Sequence, residues 1–212
     1  MKRVGILRVV TSEDRSFLEH HQRLLQRSHP SIAFETRCLP HQPNGIHDAA
    51  TLAAALPQIE ALAAPWSHTL AGLIVSCAAD PGVETLKALL SIPVVGAGEA
   101  CCLQAMALGR HVGVIGIEAD APPVFHHHLG QRLLGYRQPK GVSCTHDIHS
   151  EAGKRAIIDA IQELEVQGAE VIALACTGMA TTDVAALAAP YTSLPIVNPV
   201  LAAGNLMAQK IG

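Results

Sequence analysis

Short apolar runs, rich in β-branched residues and stopped by turn residues, recur along the chain. Arg3-Val4-Gly5-Ile6-Leu7, Gly72-Leu73-Ile74-Val75 and Ile92-Pro93-Val94-Val95 open the series. Continuous runs of this length, without alternating polar positions, predict parallel strands covered on both faces. Between them the spacing turns helical. Residues 12–28 predict one helix with Phe17, Leu18, Leu24 and Leu25 as its apolar positions. Residues 49–64 are Ala/Leu-rich and stop before Pro65. Asp80 and Pro81 read as the N-cap and first-turn proline of a helix over 82–90. Helices over 99–108 and 150–167 end at Gly109 and Gly168, and one over 182–189 ends at Pro190.

The pattern is written twice. His111-Val112-Gly113-Val114-Ile115 echoes the first strand, Val171-Ile172-Ala173-Leu174-Ala175-Cys176 echoes the run ending at Cys77, and Ser193-Leu194-Pro195-Ile196-Val197 echoes Ser91-Ile92-Pro93-Val94-Val95. A fixed-order repeat at about 100 residues indicates duplication of a domain. The fold class expected is α/β. Two similar parallel-sheet domains are related by a pseudo-two-fold axis, with the active site in the cleft between them. The first domain covers 1–102, with a C-terminal helix over 199–212 packing back on it, and the second covers 103–198. Residues 39–48 read as a loop, and His126-His127-His128 with 139–149 as a further irregular region.

Composition narrows the function classes. With 49% hydrophobic and 16% charged residues, the 212-residue chain has the make-up of a globular protein with a real core. A net charge of −3 and 3% aromatics argue against nucleic acid and anionic membranes as partners. No apolar stretch approaches the ~18 residues of a membrane span. Residues 4–10, broken by Gly5 and Arg8, read as a strand and not a signal peptide. The expected location is the cytoplasm, where the six cysteines stay reduced.

Two cysteines carry the chemical signal. A lone buried cysteine is more often a small hydrophobe than a catalyst. Cys77 and Cys176 instead close equivalent strands of the repeat, at the carboxyl edge where open α/β sheets bind ligands. If the halves face each other, one thiolate removes a proton from one face of a carbon and the other thiol delivers a proton to the opposite face. The reverse reaction exchanges the roles, which suits two chemically alike groups. Both cysteines precede predicted helices, whose N-termini favour a thiolate. The small residues Ala78 and Ala79, and Thr177 and Gly178, expose backbone amides to a developing enolate oxygen. Cys38, Cys101, Cys102 and Cys144 have no partner in the repeat and read as packing residues.

These residues resemble the aspartate/glutamate/hydantoin racemase superfamily, over nearly the whole chain. Cys77-Ala78-Ala79-Asp80-Pro81-Gly82 resembles the Cys-x-x-Asp-Pro-Gly motif of the hydantoin and allantoin racemases. Ala175-Cys176-Thr177-Gly178-Met179 is similar to their Gly-Cys-Ala-Gly-Met, and Pro93-Val94-Val95-Gly96 with Glu99-Ala100 matches a further stretch of that branch. The resemblance implies two α/β domains, a two-thiol mechanism and no pyridoxal phosphate or other cofactor. Such enzymes are commonly closed homo-oligomers, and the same is expected here.

The departures bear on substrate. Amino-acid racemases of the superfamily carry Cys-Asn-Thr where this chain has Cys77-Ala78-Ala79, which disfavours free aspartate or glutamate. The Asn-Pro-Asn loop of the hydantoin branch is replaced by Arg8-Val9-Val10-Thr11. Arg8 is either a bidentate carboxylate ligand or an exposed strand-end cation. Thr11 is an N-cap or a substrate hydroxyl, and Glu99 orients substrate or partners a helix dipole. The twelve histidines do not form a metal motif, and Gly96-Ala97-Gly98-Glu99-Ala100-Cys101 lacks the third glycine of a dinucleotide fingerprint. The reading is a cofactor-independent racemase of hydantoin-type small molecules. Its rivals are an amino-acid racemase, a related isomerase or decarboxylase, and a small-molecule sensor without turnover.

Overall fold

The computed structural model describes residues 1–43, 45–46 and 48–212; Asn44 and His47, in the expected 39–48 loop, lie outside the described residues. The chain forms two compact units, Met1–Ala97 with Ala203–Gly212, and Gly98–Ala202. The first unit begins with β1 (Lys2–Arg8), α1 (Arg15–Leu18), α2 (His20–Ser28), β2 (Ile32–Cys38) and α3 (Ala49–Ser67). It continues with β3 (Gly72–Val75), α4 (Val83–Leu89) and β4 (Val94–Gly96). All strand pairs are parallel, in the order β2-β1-β3-β4. The four residues of β3 are buried, as a continuous GLIV run requires when both faces are covered.

One face of this sheet carries α3 and α4. Ala55, Ile59, Ala63 and Trp66 of α3 and Leu86 of α4 pack with Leu7, Leu73, Val75 and Val94. Burying each of the larger side chains contributes roughly 1.5–3 kcal/mol. Gly5, in the middle of β1, lets α3 approach closely: a Cβ there would come within 2.6 Å of Leu70 Cδ1 and 2.9 Å of the Trp66 ring. Contrary to expectation, α3 does not stop before Pro65 but runs through it to Ser67. Proline removes one helical N–H. The gain is Trp66, 2% exposed, whose indole donates to Glu35 at 3.2 Å beneath the Arg37 guanidinium.

The second unit contains α5 (Ala97–Leu108), β5 (Val112–Ile115), α6 (Pro123–Leu129), a 3-10 turn (Gly130–Arg132), β6 (Leu133–Arg137) and α7 (Thr145–Ile148). It ends with α8 (Glu151–Val166), β7 (Val171–Leu174), α9 (Gly178–Thr181), α10 (Val184–Ala188) and β8 (Ile196–Val197). Its strand order, β6-β5-β7-β8, repeats that of the first unit, again all parallel. Leu164 of α8 packs over Gly113 as Trp66 does over Gly5. Details of the ladder recur too. Ala71 N donates to Arg3 O at 2.7 Å and Glu170 N to His111 O at 2.8 Å. Leu73 and Ile172 each donate to a proline carbonyl, Pro93 and Pro195, at 2.9 Å.

The final helix, α11 (Pro199–Ile211), starts in the second unit and finishes in the first. Asn198 caps it through the amides of Val200 and Leu201. In the first unit Gly204 lies against Leu25 of α2, and Met207 covers Gly72 on the sheet face opposite α3. The division at Ala97/Gly98 falls earlier than the expected 102/103 because α5 is bound to the second sheet. Cys101 donates to the carbonyls of Leu174 and Val197, and Arg132 to that of Met106.

Other local expectations are corrected. The single helix over 12–28 is two helices meeting at Glu19, and only His21 and Leu25 of α2 are buried. Asp14, not Thr11, caps α1 through the amides of Ser16 and Phe17. Asp80-Pro81 does not cap α4: Gly82, at φ 70°, is its N-cap. The helix expected over 182–189 is the shorter α10, which starts only at Val184 because Asp183, at φ 51°, is its N-cap; α9 is a separate turn that ends before it, at Thr181. His126, His127 and His128 lie on α6, and α7 forms inside the supposedly irregular 139–149. Among the described residues no helix is long and apolar enough to cross a membrane.

Candidate active site

The two cysteines occupy the same backbone device. Beyond β3, the Ser76 amide donates to Leu7 O at 2.8 Å, the last hook of the sheet before Cys77 leaves it. The Cys77 carbonyl then accepts from the Asp80 amide at 3.1 Å, closing a tight turn. Beyond β7, the Ala175 amide donates to Ile115 O at 2.7 Å, and the Cys176 carbonyl accepts from the Met179 amide at 3.1 Å. Each thiol therefore stands one residue past the last ladder bond of its sheet's third strand, at the carboxyl edge.

Around Cys77 the supports are buried. Its side chain is half-buried against the α3/α4 core. Ser76 Oγ lies 2.9 Å from Nδ1 of His21, and both residues are buried. Asp80 takes the left-handed region at φ 51°, and its carboxylate lies on the α-carbon of Gly96 at the end of β4. Only glycine fits that position, because any Cβ at 96 would collide with the carboxylate.

Around Cys176 the donors converge on sulfur. Burial pushes the thiol up from its ordinary range, while the nearby donors, the amides of Gly178 and Met179 and the Thr145 side chain, pull it down; Glu118 adds a small push upward. A Cβ on Gly178 would lie 2.5 Å from Thr145 Cγ2 and 3.4 Å from Cys176 Sγ, so both side chains sit over that glycine. Tyr136 borders this pocket of charge. Its hydroxyl donates to Glu118 O at 2.6 Å, and burial first, then Glu118, pushes it above the usual phenol range.

The remaining predicted residues are distributed as follows. Ala78 and Ala79 form the turn after Cys77, Ala78 being 2% exposed. Thr177 and Gly178 form the turn after Cys176. Glu99 lies in the first turn of α5, half-buried. Arg8 is not an exposed cation: it is 4% exposed, donates to the carbonyls of Phe17 and Leu18, and stacks 4.3 Å from the Phe17 ring centre. Burial lowers its pKa to about 10 and raises that of Cys38, the residue beside it in register. Thr11 clamps the following loop: its hydroxyl donates to Leu39 O and accepts from Gln42 N, both at 2.6 Å. Cys101 and Cys102 are buried in packing, and Cys144 is exposed. Among the described residues no three His, Cys, Asp or Glu side chains group as a metal would need.

Thr145, Glu118, Tyr136 and the Ser76–His21 pair were not foreseen. Thr145 stood in a stretch read as loop. The signal there is Asp147, whose carboxylate accepts from the amides of Ser143 and Cys144 and starts a short helix.

The family model for Asp/Glu/Hydantoin racemase matches residues 14–207. The chain belongs to this family. A hydantoin racemase from Paenarthrobacter aurescens is 31% identical over 139 residues, which cover 61% of this chain and 57% of that protein's length. The allantoin racemase of Pseudomonas fluorescens superposes with a TM-score of 0.83 at 23% identity, covering 98% of this chain and 89% of the other. The allantoin racemase of Klebsiella pneumoniae gives 0.81 at 20% identity, with coverages of 99% and 87%. A glutamate racemase from Bacillus anthracis gives 0.72 at 13% identity, with coverages of 98% and 80%. At these identities the superpositions speak for the fold. The residue after Cys77 in this chain is Ala78, which is buried.

Proposed function

We propose that this member of the family is a racemase or epimerase that inverts a carbon acid without a cofactor, using Cys77 and Cys176 as acid and base. One thiolate takes the proton of the stereogenic carbon and becomes a thiol. The resulting enolate takes a proton from the other cysteine, which becomes the thiolate. No atom is gained or lost, and the reverse reaction exchanges the roles. The observation that carries this reading is the shared backbone device: two thiols, each one residue past the last ladder bond, each closing a turn with a 3.1 Å bond. The substrate we assign is a five-membered hydantoin-type ring, whose reacting carbon lies between a nitrogen and a carbonyl. Two things support it: the motifs after each cysteine, and the alanines at 78 and 79 in place of carboxylate-gripping side chains. Backbone amides of the turns after the cysteines hold the ring carbonyls. The acting protein is expected in the cytoplasm as a closed homo-oligomer.

The test is proton exchange in D2O against chiral hydantoins, allantoin, aspartate and glutamate, with the α-proton followed by NMR alongside optical rotation. Exchange with loss of rotation on a ring substrate is expected, and Cys77→Ser and Cys176→Ser should each abolish inversion. Inversion at the wild-type rate in either variant overturns the paired roles. Ligand binding without exchange would point to a sensor, and loss of carbon dioxide dependent on one cysteine to a decarboxylase.

A further inference from the structure

The second unit contains a small helix whose construction exceeds what a loop connection needs. Helix α7 is only four residues long, yet both of its ends are fixed. At its start, Asp147 Oδ2 accepts from Ser143 N at 2.9 Å and Cys144 N at 3.1 Å. These bonds hold the Asp147 carboxyl below the usual carboxylate range. At its end, Ser150 Oγ donates to Asp147 O at 2.8 Å and accepts from Gly153 N at 2.9 Å. Gly153 of α8 lies so close beneath Asp147 O that no side chain fits between them. His149 Nδ1, just beyond, lies 2.9 Å from Thr182 Oγ1 next to α9. The helix is thus tied at both ends.

What this fixed helix presents is its first residue. Thr145 sets its methyl on the α-carbon of Gly178, where a Cβ would come within 2.5 Å. The Cys176 sulfur lies over the same glycine, 3.4 Å from where its Cβ would be, so the Thr145 side chain and the thiol share one small space. Gly178 is therefore glycine to admit Thr145, since its backbone lies in an ordinary helical turn with no positive φ.

We infer that Thr145 is a positioning residue for Cys176, delivered by α7 so that its hydroxyl donates to Sγ and fixes the sulfur beside the Gly178 and Met179 amides. A hydroxyl donor stabilises the thiolate more than the thiol, because hydrogen bonds to a charged acceptor are the stronger ones. The two cysteines share their backbone turns, and Thr145 acts on one of them. This role rests on the proposed use of Cys176 in proton transfer, but its test does not need a substrate.

The experiment is alkylation of the intact protein by iodoacetamide across a pH series, with modification of Cys176 and of Cys77 quantified separately by mass spectrometry. Thr145→Val keeps the methyl contact and removes the hydroxyl; Thr145→Ser keeps the hydroxyl. The expected result is that the Cys176 profile of Thr145→Val moves alkaline by about one pH unit, a roughly tenfold slower reaction at neutral pH. Thr145→Ser should stay within about a third of a unit of wild type on the same scale, and the Cys77 profile should not move in either variant. Superimposable wild-type and Thr145→Val profiles would overturn the assignment. So would an equal shift in Thr145→Ser, which would mean that the methyl packing and not the hydroxyl matters. An equal shift at Cys77 would show a general disturbance and overturn it as well. Loss of racemase activity with unchanged profiles would leave the proposed function standing and remove this role.

Discussion

The Asp80 carboxylate rests on the α-carbon of Gly96, binding the turn after Cys77 to the end of the neighbouring strand. Asp80 holds a left-handed backbone at φ 51°, and its amide closes the Cys77 turn at 3.1 Å. A methyl group at 96 would take the space of the carboxylate and push on this turn. Gly96→Ala should lower the unfolding free energy by about 1–3 kcal/mol, the usual range for overpacking. It should also slow α-proton exchange at least tenfold on whichever substrate the wild type turns over (about 1.4 kcal/mol of barrier). Urea unfolding and NMR exchange check the two effects, and exchange at the wild-type rate would remove Asp80 from any part in placing Cys77.

Gly5 and Gly113 hold equivalent places in β1 and β5, but their neighbours differ in distance. A Cβ at 5 would lie 2.6 Å from Leu70 Cδ1 and 2.9 Å from the Trp66 ring, whereas at 113 the nearest atoms, on Ile172 and Leu164, are 3.0 Å away. Gly5→Ala should therefore cost about 1–3 kcal/mol, and Gly113→Ala less, because aliphatic tips give way more readily than an indole held by Glu35. Chemical denaturation of both variants measures the difference. An equal or reversed order would mean that the Trp66 packing adapts.

How much of this was legible depended on whether a segment is covered on both faces. Central strands β1, β3, β5 and β7 announced themselves as unbroken apolar runs, and the repeat then located both cysteines. Of the edge strands, β4 and β8 were read as well, through the Val94-Val95 and Ile196-Val197 runs of the repeat, whereas β2 and β6 were not. β2 includes Glu35 and Arg37, which are occupied with Arg3 and Trp66, and β6 is half-buried along its length, with Gly135 at its centre. Pro65 misled for a related reason: burial of Trp66 outweighs one lost helical bond. Asp80-Pro81-Gly82 looked like a cap from spacing alone. The contact between Asp80 and Gly96 that decides otherwise is tertiary. Thr145 was out of reach because it meets Cys176 only through the fold of α7.

Arg8 tests whether a buried cation at a strand end supports the fold or grips a substrate. Its guanidinium is engaged with the Phe17 and Leu18 carbonyls and the Phe17 ring, so removing the charge should loosen α1. Arg8→Gln is expected to lower the unfolding free energy by about 1–3 kcal/mol, the range for losing a charged donor to buried acceptors. The KM for a neutral ring substrate should change less than threefold (about 0.7 kcal/mol). A tenfold rise in KM confined to anionic substrates would instead assign Arg8 to a substrate carboxylate.

Cys176 should make both activity and stability depend on alkaline pH. Burial is the largest influence on the thiol and raises it, against the donors Gly178, Met179 and Thr145. A cysteine acting as base must be ionised. With a raised pKa, kcat/KM for the enantiomer whose proton Cys176 removes climbs about tenfold per pH unit through neutrality and levels off only above the ordinary thiol range. For stability, the folded pKa exceeds the unfolded one. The contribution is thus complete below the unfolded thiol pKa and is lost as pH rises through it toward the folded value. Cys38, also raised by burial, adds a slope of the same sign. The urea midpoint should accordingly fall between about pH 7 and about pH 10, and Cys176→Ser should reduce that fall, since serine does not ionise there. A wild-type midpoint unchanged over this interval would mean that the folded thiols ionise as readily as unfolded ones, and that burial does not hold Cys176 neutral.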